Sequence, residues 1–180
     1  MSELPSEPPF ASPEAHPTNP YAHASGDLRR QLIGTWRLVS YVERDVDSGE
    51  ENHPMGEHPL GLIMYAPDGF MSVQLSARGR SPFRKNDPYC GTPEEYAEAA
   101  SSYIAYSGPF HVNPLNSSLV HEMQVSLFPN WLGQRQVRLA QIEGDLLRLA
   151  TATPMNFGGG RKTATLVWRR AQPKLLTTLC

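Results

Sequence analysis

Two short segments near the ends of the ordered part constrain this chain most: Gly34-Thr35-Trp36-Arg37-Leu38-Val39-Ser40-Tyr41 and Thr165-Leu166-Val167-Trp168-Arg169-Arg170. Both alternate branched or aromatic residues with polar ones, which is the period of a β-strand. A Gly-x-Trp opens the first and a Trp-Arg-Arg closes the last. First and last strands of an up-and-down sheet can pair, which closes the sheet and removes its edges. An arginine of the last strand can then lie across the face of Trp36. Such a barrel encloses a cavity, so a small apolar molecule is the expected ligand.

The segments between these ends are short and separated by turn residues. Asp45 to Pro59 is polar and carries Gly and Pro, so it reads as a loop. Gly61–Tyr65 and Phe70–Leu75 flank Ala66-Pro67-Asp68-Gly69, with Pro and Gly where a hairpin turn wants them. A long excursion from Ala77 leads to Thr92-Pro93-Glu94-Glu95. There a Thr cap, Pro at the first helical position and Glu at the third predict a helix to about Ser102. Tyr103–Val112 and Ser118–Leu127 form a second hairpin across Asn113-Pro114-Leu115-Asn116. Gln134–Ile142 and Leu146–Thr151 form a third, and Met155–Arg161 reads as a Gly-rich loop before the closing strand. No βαβ alternation is present, so an antiparallel rather than a parallel sheet is expected. The prediction is an all-β, antiparallel up-and-down barrel of about eight strands with one short helix.

Residues 1–27 carry Pro5, Pro8, Pro9, Pro13, Pro17 and Pro20 with almost no aliphatic content, which predicts a disordered leader. The barrel domain is expected over 28–171 and a tail over 172–180. Over the 180 residues the formal net charge is −2, with no basic excess to favour nucleic acid and no polybasic or long apolar run to favour a membrane. The first residues lack a secretion-signal pattern, and Cys90 and Cys180 make no disulfide framework, so a cytoplasmic setting is expected.

Several of these segments, in order, resemble the bacterial and fungal lipocalin-like domain family, a group of calycin-type small barrels. They are the Gly34–Tyr41 run, Gly61-Leu62-Ile63-Met64-Tyr65 with Asp68-Gly69-Phe70-Met71, and Gly91-Thr92-Pro93-Glu94-Glu95-Tyr96. Ala105-Tyr106-Ser107-Gly108, Phe128-Pro129-Asn130-Trp131-Leu132-Gly133 and Leu166–Arg170 complete the set. The resemblance spans about Leu32 to Arg170. It implies a small-molecule binder, and fungal members found among natural-product biosynthesis genes imply a ligand of that kind.

Strand alternation sorts the polar residues onto two faces. Phe110 and Val112 mark the apolar face of one strand, and Leu119, Met123 and Val125 that of its partner. His121 falls on this inward face, as does Tyr106, in phase with Phe110, while His111 falls outside. If Glu143-Gly144 is a two-residue turn, Gln136, Arg138, Ala140 and Ile142 share a face with Leu147 and Leu149, and Arg138 enters the barrel. A three-residue turn would send Arg138 to solvent; the first reading is preferred. An inward guanidinium needs an oxygen facing it. Tyr65 is a further inward candidate, Trp131 plugs or gates one end, and Trp36 is structural.

Two functions fit. In the preferred one the barrel is a cofactor-free isomerase, cyclase or dehydratase acting on an aromatic, polyketide-like compound. His121 would be the general base and Arg138 with Tyr106 would stabilise an enolate, while Tyr65, Gln136 and Trp131 line the site. In the other the same barrel only carries a small hydrophobic ligand. No metal or cofactor is expected, because the histidines are scattered and the pair His53 and His58, five apart in a loop with Glu57, is too loosely held for a metal and lacks a third fixed ligand. No paired inward carboxylate is apparent, and a homodimer is compatible with either function.

Overall fold

The computed structural model describes residues 28–113 and 115–172. The expected leader and residues 173–180 of the expected tail lie outside them. After a helical stretch, α1 (28–32), the chain forms β1 (Gly34–Asp45), β2 (Glu51–Asn52), β3 (Leu60–Tyr65) and β4 (Phe70–Ser76), then the helix α2 (Pro93–Ser101). It continues through β5 (Tyr103–Asn113), β6 (Ser118–Glu122), β7 (Val125–Ser126), β8 (Arg135–Glu143), β9 (Leu146–Thr151), β10 (Met155–Phe157) and β11 (Gly160–Arg170). The sheet runs β11-β9-β8-β6-β5-β4-β3-β1, and β11 pairs antiparallel with β1 to close it. The result is an eight-stranded antiparallel barrel, with β2, β7 and β10 as short accessories, and it agrees with the sequence reading.

One end is shut by the residues that first suggested closure. Trp36 is fully buried, its indole N–H donates to the Leu32 carbonyl at 2.8 Å, and the Arg170 guanidinium lies 4.0 Å from its ring centroid. Arg170 also donates to the Ile33 and Gln31 carbonyls, so the closing strand holds α1 beneath the barrel. α1 was not foreseen, because it directly follows the Pro-rich segment; it contributes the fully buried Leu32. α2 begins as expected, with Thr92 Oγ1 accepting from the Glu95 N–H and Glu95 accepting from the Thr92 N–H.

Four local expectations need correction. First, Ser118–Leu127 is not one strand. At Met123 the chain turns to bond Gly133 and Gln134, and only β7 returns to β5. This leaves Val125 67% exposed instead of inward, while Met123 is buried. Gly108 accommodates the break, since a Cβ there would stand 2.0 Å from the Glu122 carbonyl oxygen. Second, the third hairpin turns at Gly144-Asp145, one residue later than expected: Glu143 pairs with Leu146, and Gly144 has φ of +60°. The loop still has two residues, so the predicted inward face survives. Third, Met155–Arg161 is a hairpin, β10–β11, turning at Gly158-Gly159.

The fourth correction concerns β1. Leu38 pairs with Trp168 but Ser40 pairs with Val167, so Val39 is an extra residue. Such a bulge switches the faces of everything beyond it. Trp36 points inward before it and Tyr41 and Glu43 after it, so a carboxylate does enter the barrel.

Candidate functional site

The open half of the barrel contains two adjacent spaces. The outer one, about 400 Å³, is walled mainly by Met55, Ala100, Ile104, Ala105, Leu127, Phe128, Trp131 and Phe157, with Tyr41, Glu43 and Lys162 as its polar inner edge. Loop 46–59 supplies Met55, α2 supplies Ala100 and Ser101, and the three-residue 3-10 turn Pro129–Trp131 supplies the indole. The inner space holds only about 40 Å³, and His121, Arg138, Tyr106, Thr151 and Trp168 are among its walls. Tyr41, Ile104, Trp131 and Phe157 line both, so one layer of side chains divides them.

β6 and β8 carry the polar centre of the inner space. His121 faces Gln136 across the β6–β8 pair, and Arg138 faces Leu119 and Thr151 on its two neighbours. His121 is 1% exposed; its Nε2 lies 2.8 Å from the Tyr65 hydroxyl and its Nδ1 3.4 Å from that of Tyr106. Burial first, and the Arg138 charge second, hold the His121 pKa well below the usual histidine range, so the ring is neutral at pH 7. A neutral imidazole has one N–H and one acceptor nitrogen, so the two tyrosines play opposite hydrogen-bonding roles. Burial raises the pKa of Tyr65 and Tyr106, with Arg138 opposing the rise in both.

Arg138 is 8% exposed and donates to Gln136 Oε1 and to the Val137 carbonyl at 3.3 Å. Its positive charge also acts on the Tyr106 hydroxyl, where it opposes the rise in pKa that burial causes. Trp131 stacks edge-on against Tyr106, with ring centroids 5.7 Å apart, and so stands between this cluster and the outer space. Tyr65, Tyr106, His121, Gln136 and Arg138 therefore do converge, as their strand phases predict. Trp131 borders them from a turn.

Glu43, Lys162 and Trp168 were not foreseen as site residues. Glu43 is 5% exposed; it accepts from the Tyr41 hydroxyl at 2.7 Å and faces Lys162 Nζ at 3.6 Å. Burial, then this hydrogen bond, raise the Tyr41 pKa far above the usual phenol range. Glu43 was hidden by the bulge at Val39. Lys162 was legible, because it lies in phase with Ala164, Leu166 and Trp168 on β11.

A lipocalin-like domain model matches residues 33–171. The chain belongs to the lipocalin-like domain family. A similar relative is the 4'-hydroxy-3'-methoxypropiophenone carrier protein of Aspergillus oryzae, 36% identical over 106 residues, which is 56% of this chain and 96% of the relative. Among the described residues no helix is long and apolar enough to cross a membrane.

Proposed function

We propose that this lipocalin-like barrel carries, without transforming it, a small aromatic ligand bearing oxygen substituents. The observation that carries this reading is the outer cavity: about 400 Å³, mainly apolar, and edged by a few polar groups. Ligand pockets for small organic molecules typically run from about 300 to 1,000 Å³ with that balance of lining. Exposed Leu127, Phe128 and Leu132 give the mouth an apolar rim over which such a molecule can enter. The relative's name, a carrier of a single-ring aryl ketone, points to the same ligand class.

The catalytic reading is weaker on the same geometry. A general base must come within hydrogen-bond reach of the proton it removes. Both ring nitrogens of His121 are engaged by tyrosine hydroxyls, and the space it borders, about 40 Å³, is too small for an aromatic ring. The buried carboxylate, Glu43, is engaged by Tyr41 and Lys162. Isothermal titration calorimetry with 4'-hydroxy-3'-methoxypropiophenone, followed by NMR of the recovered compound, tests the proposal. One saturable site per chain and an unchanged ligand are expected. A product that accumulates with time, or no binding by folded protein, would overturn it.

A further inference from the structure

Arg138 is a buried cation without a buried anion. Its donors go to an amide oxygen, a backbone carbonyl and, at 4.0 Å, the Met155 sulfur. Among the described residues no ion pair joins it to a carboxylate. Glu43, the buried carboxylate of this half of the barrel, is taken by Tyr41 and Lys162. The titratable groups around Arg138 are Tyr41 from β1, Tyr65 from β3, Tyr106 from β5 and His121 from β6, and all are neutral at pH 7. Thr151 faces it from β9 and Gln136 from its own strand. A guanidinium taken out of water in this way is costly unless an anion meets it.

A second observation falls at the same place. Trp168 Nε1 is buried without a hydrogen-bond partner among the described residues, and Trp168 lines the same inner space as Arg138. Buried donors are seldom left without an acceptor, and the exceptions call for an explanation. An orphan N–H and an uncompensated guanidinium border one void of about 40 Å³. That void has room for a ligand oxygen, since about 10–15 Å³ of such space is enough to hold one water molecule.

We propose that the ligand is held as an anion, with its ring in the outer cavity and a phenolate oxygen in the inner void, accepting from Arg138 and Trp168 Nε1. This rests on the carrier reading and adds the charge state and orientation of the ligand. Only the layer formed by Tyr41, Ile104, Trp131 and Phe157 has to be passed, and of these Trp131 sits on a short turn. A para-acyl phenol suits the site, because its conjugate base spreads charge onto the ketone oxygen. On binding, the phenol O–H breaks, the oxygen keeps the electron pair and the proton leaves to solvent.

The test uses 4'-hydroxypropiophenone and its methyl ether, 4'-methoxypropiophenone, with near-ultraviolet absorption reporting the ionisation of the phenol. At a pH where the free ligand is neutral, wild-type protein is expected to produce the phenolate band. Arg138→Met should abolish that band and weaken phenol binding about tenfold or more, while binding of the ether changes less than about threefold. Trp168→Phe should lower phenol affinity by a smaller factor. A 4-alkylbenzoate that outcompetes the phenol would identify a carboxylate as the preferred anionic head and support the same site. A phenol bound with a neutral spectrum, and no tighter than the ether, would overturn the proposal and leave the carrier reading intact. If neither ketone binds, the carrier reading fails with it. The wild-type spectrum alone decides the charge state, so a variant that does not fold leaves the test standing.

Discussion

Arg138→Met should make the protein more stable, or leave it unchanged, although it removes a buried residue with several hydrogen bonds. Replacing even a buried ion pair by apolar groups of similar size is often neutral or stabilising by about 1–4 kcal/mol, and a lone interior charge, which carries an effective penalty of several kcal/mol with no partner to offset it, should gain at least as much. Against this stands the loss of the bonds to Gln136 Oε1 and the Val137 carbonyl, the latter long at 3.3 Å. A newly unsatisfied Gln136 oxygen costs about 1–3 kcal/mol. The midpoints of the two ranges, about 2.5 and about 2 kcal/mol, put the balance near zero and slightly in favour of the variant, so Tm should hold or rise by about 1–2 °C. Gln136→Leu added to Arg138→Met removes the orphaned oxygen as well and should keep or extend the gain. Differential scanning calorimetry of the three proteins without ligand measures this. A fall of more than about 6 °C in both variants would mean instead that the guanidinium is already compensated in the folded protein.

Trp36→Ala should cost about 3–5 kcal/mol in chemical denaturation, since it empties the closed end and strips Arg170 of its stacking partner; a loss below about 1 kcal/mol would remove the closure argument. Lys162→Met leaves Glu43 buried and without its cation, and should destabilise by about 3 kcal/mol, a loss that Glu43→Gln in the same chain should partly restore. His121 has a folded-state pKa below its unfolded value, so its contribution is fully present above about pH 6.5 and is lost as pH falls below it. The loss is about 1.4 kcal/mol per pH unit until the folded-state pKa is reached. Urea denaturation at several pH values should show this slope in wild type and not in His121→Phe.

How much of this was legible depended on whether the strands kept their phase. Where alternation ran undisturbed, as in β8 and β9, Gln136 and Arg138 could be assigned to the inside even though the turn was misplaced by one residue. A two-residue loop preserves the facing of both strands wherever it sits. His121 and Tyr106 were assigned for the same reason. Phase failed at irregularities: Val39 shifted β1 and hid Glu43, and the break after Glu122 sent Val125 outward. Neither leaves a residue signature of its own, because a bulge or a strand break is decided by the partner strand. The outer cavity was not legible at all. It is assembled from loop 46–59, α2 and the Pro129–Trp131 turn, whose arrangement follows from packing across the mouth and not from any local pattern.

A small aromatic ligand is expected to sit unreacted in the outer cavity. Isotope-filtered NOESY on labelled protein saturated with 4'-hydroxy-3'-methoxypropiophenone should show this as contacts from the ligand ring to the Met55 and Ala105 methyl groups and to the Trp131 indole, all three of which line the cavity. The ligand spectrum itself should not change over days. Contacts confined to the outer barrel face around Leu62 and Met64, or the appearance of product resonances, would contradict it.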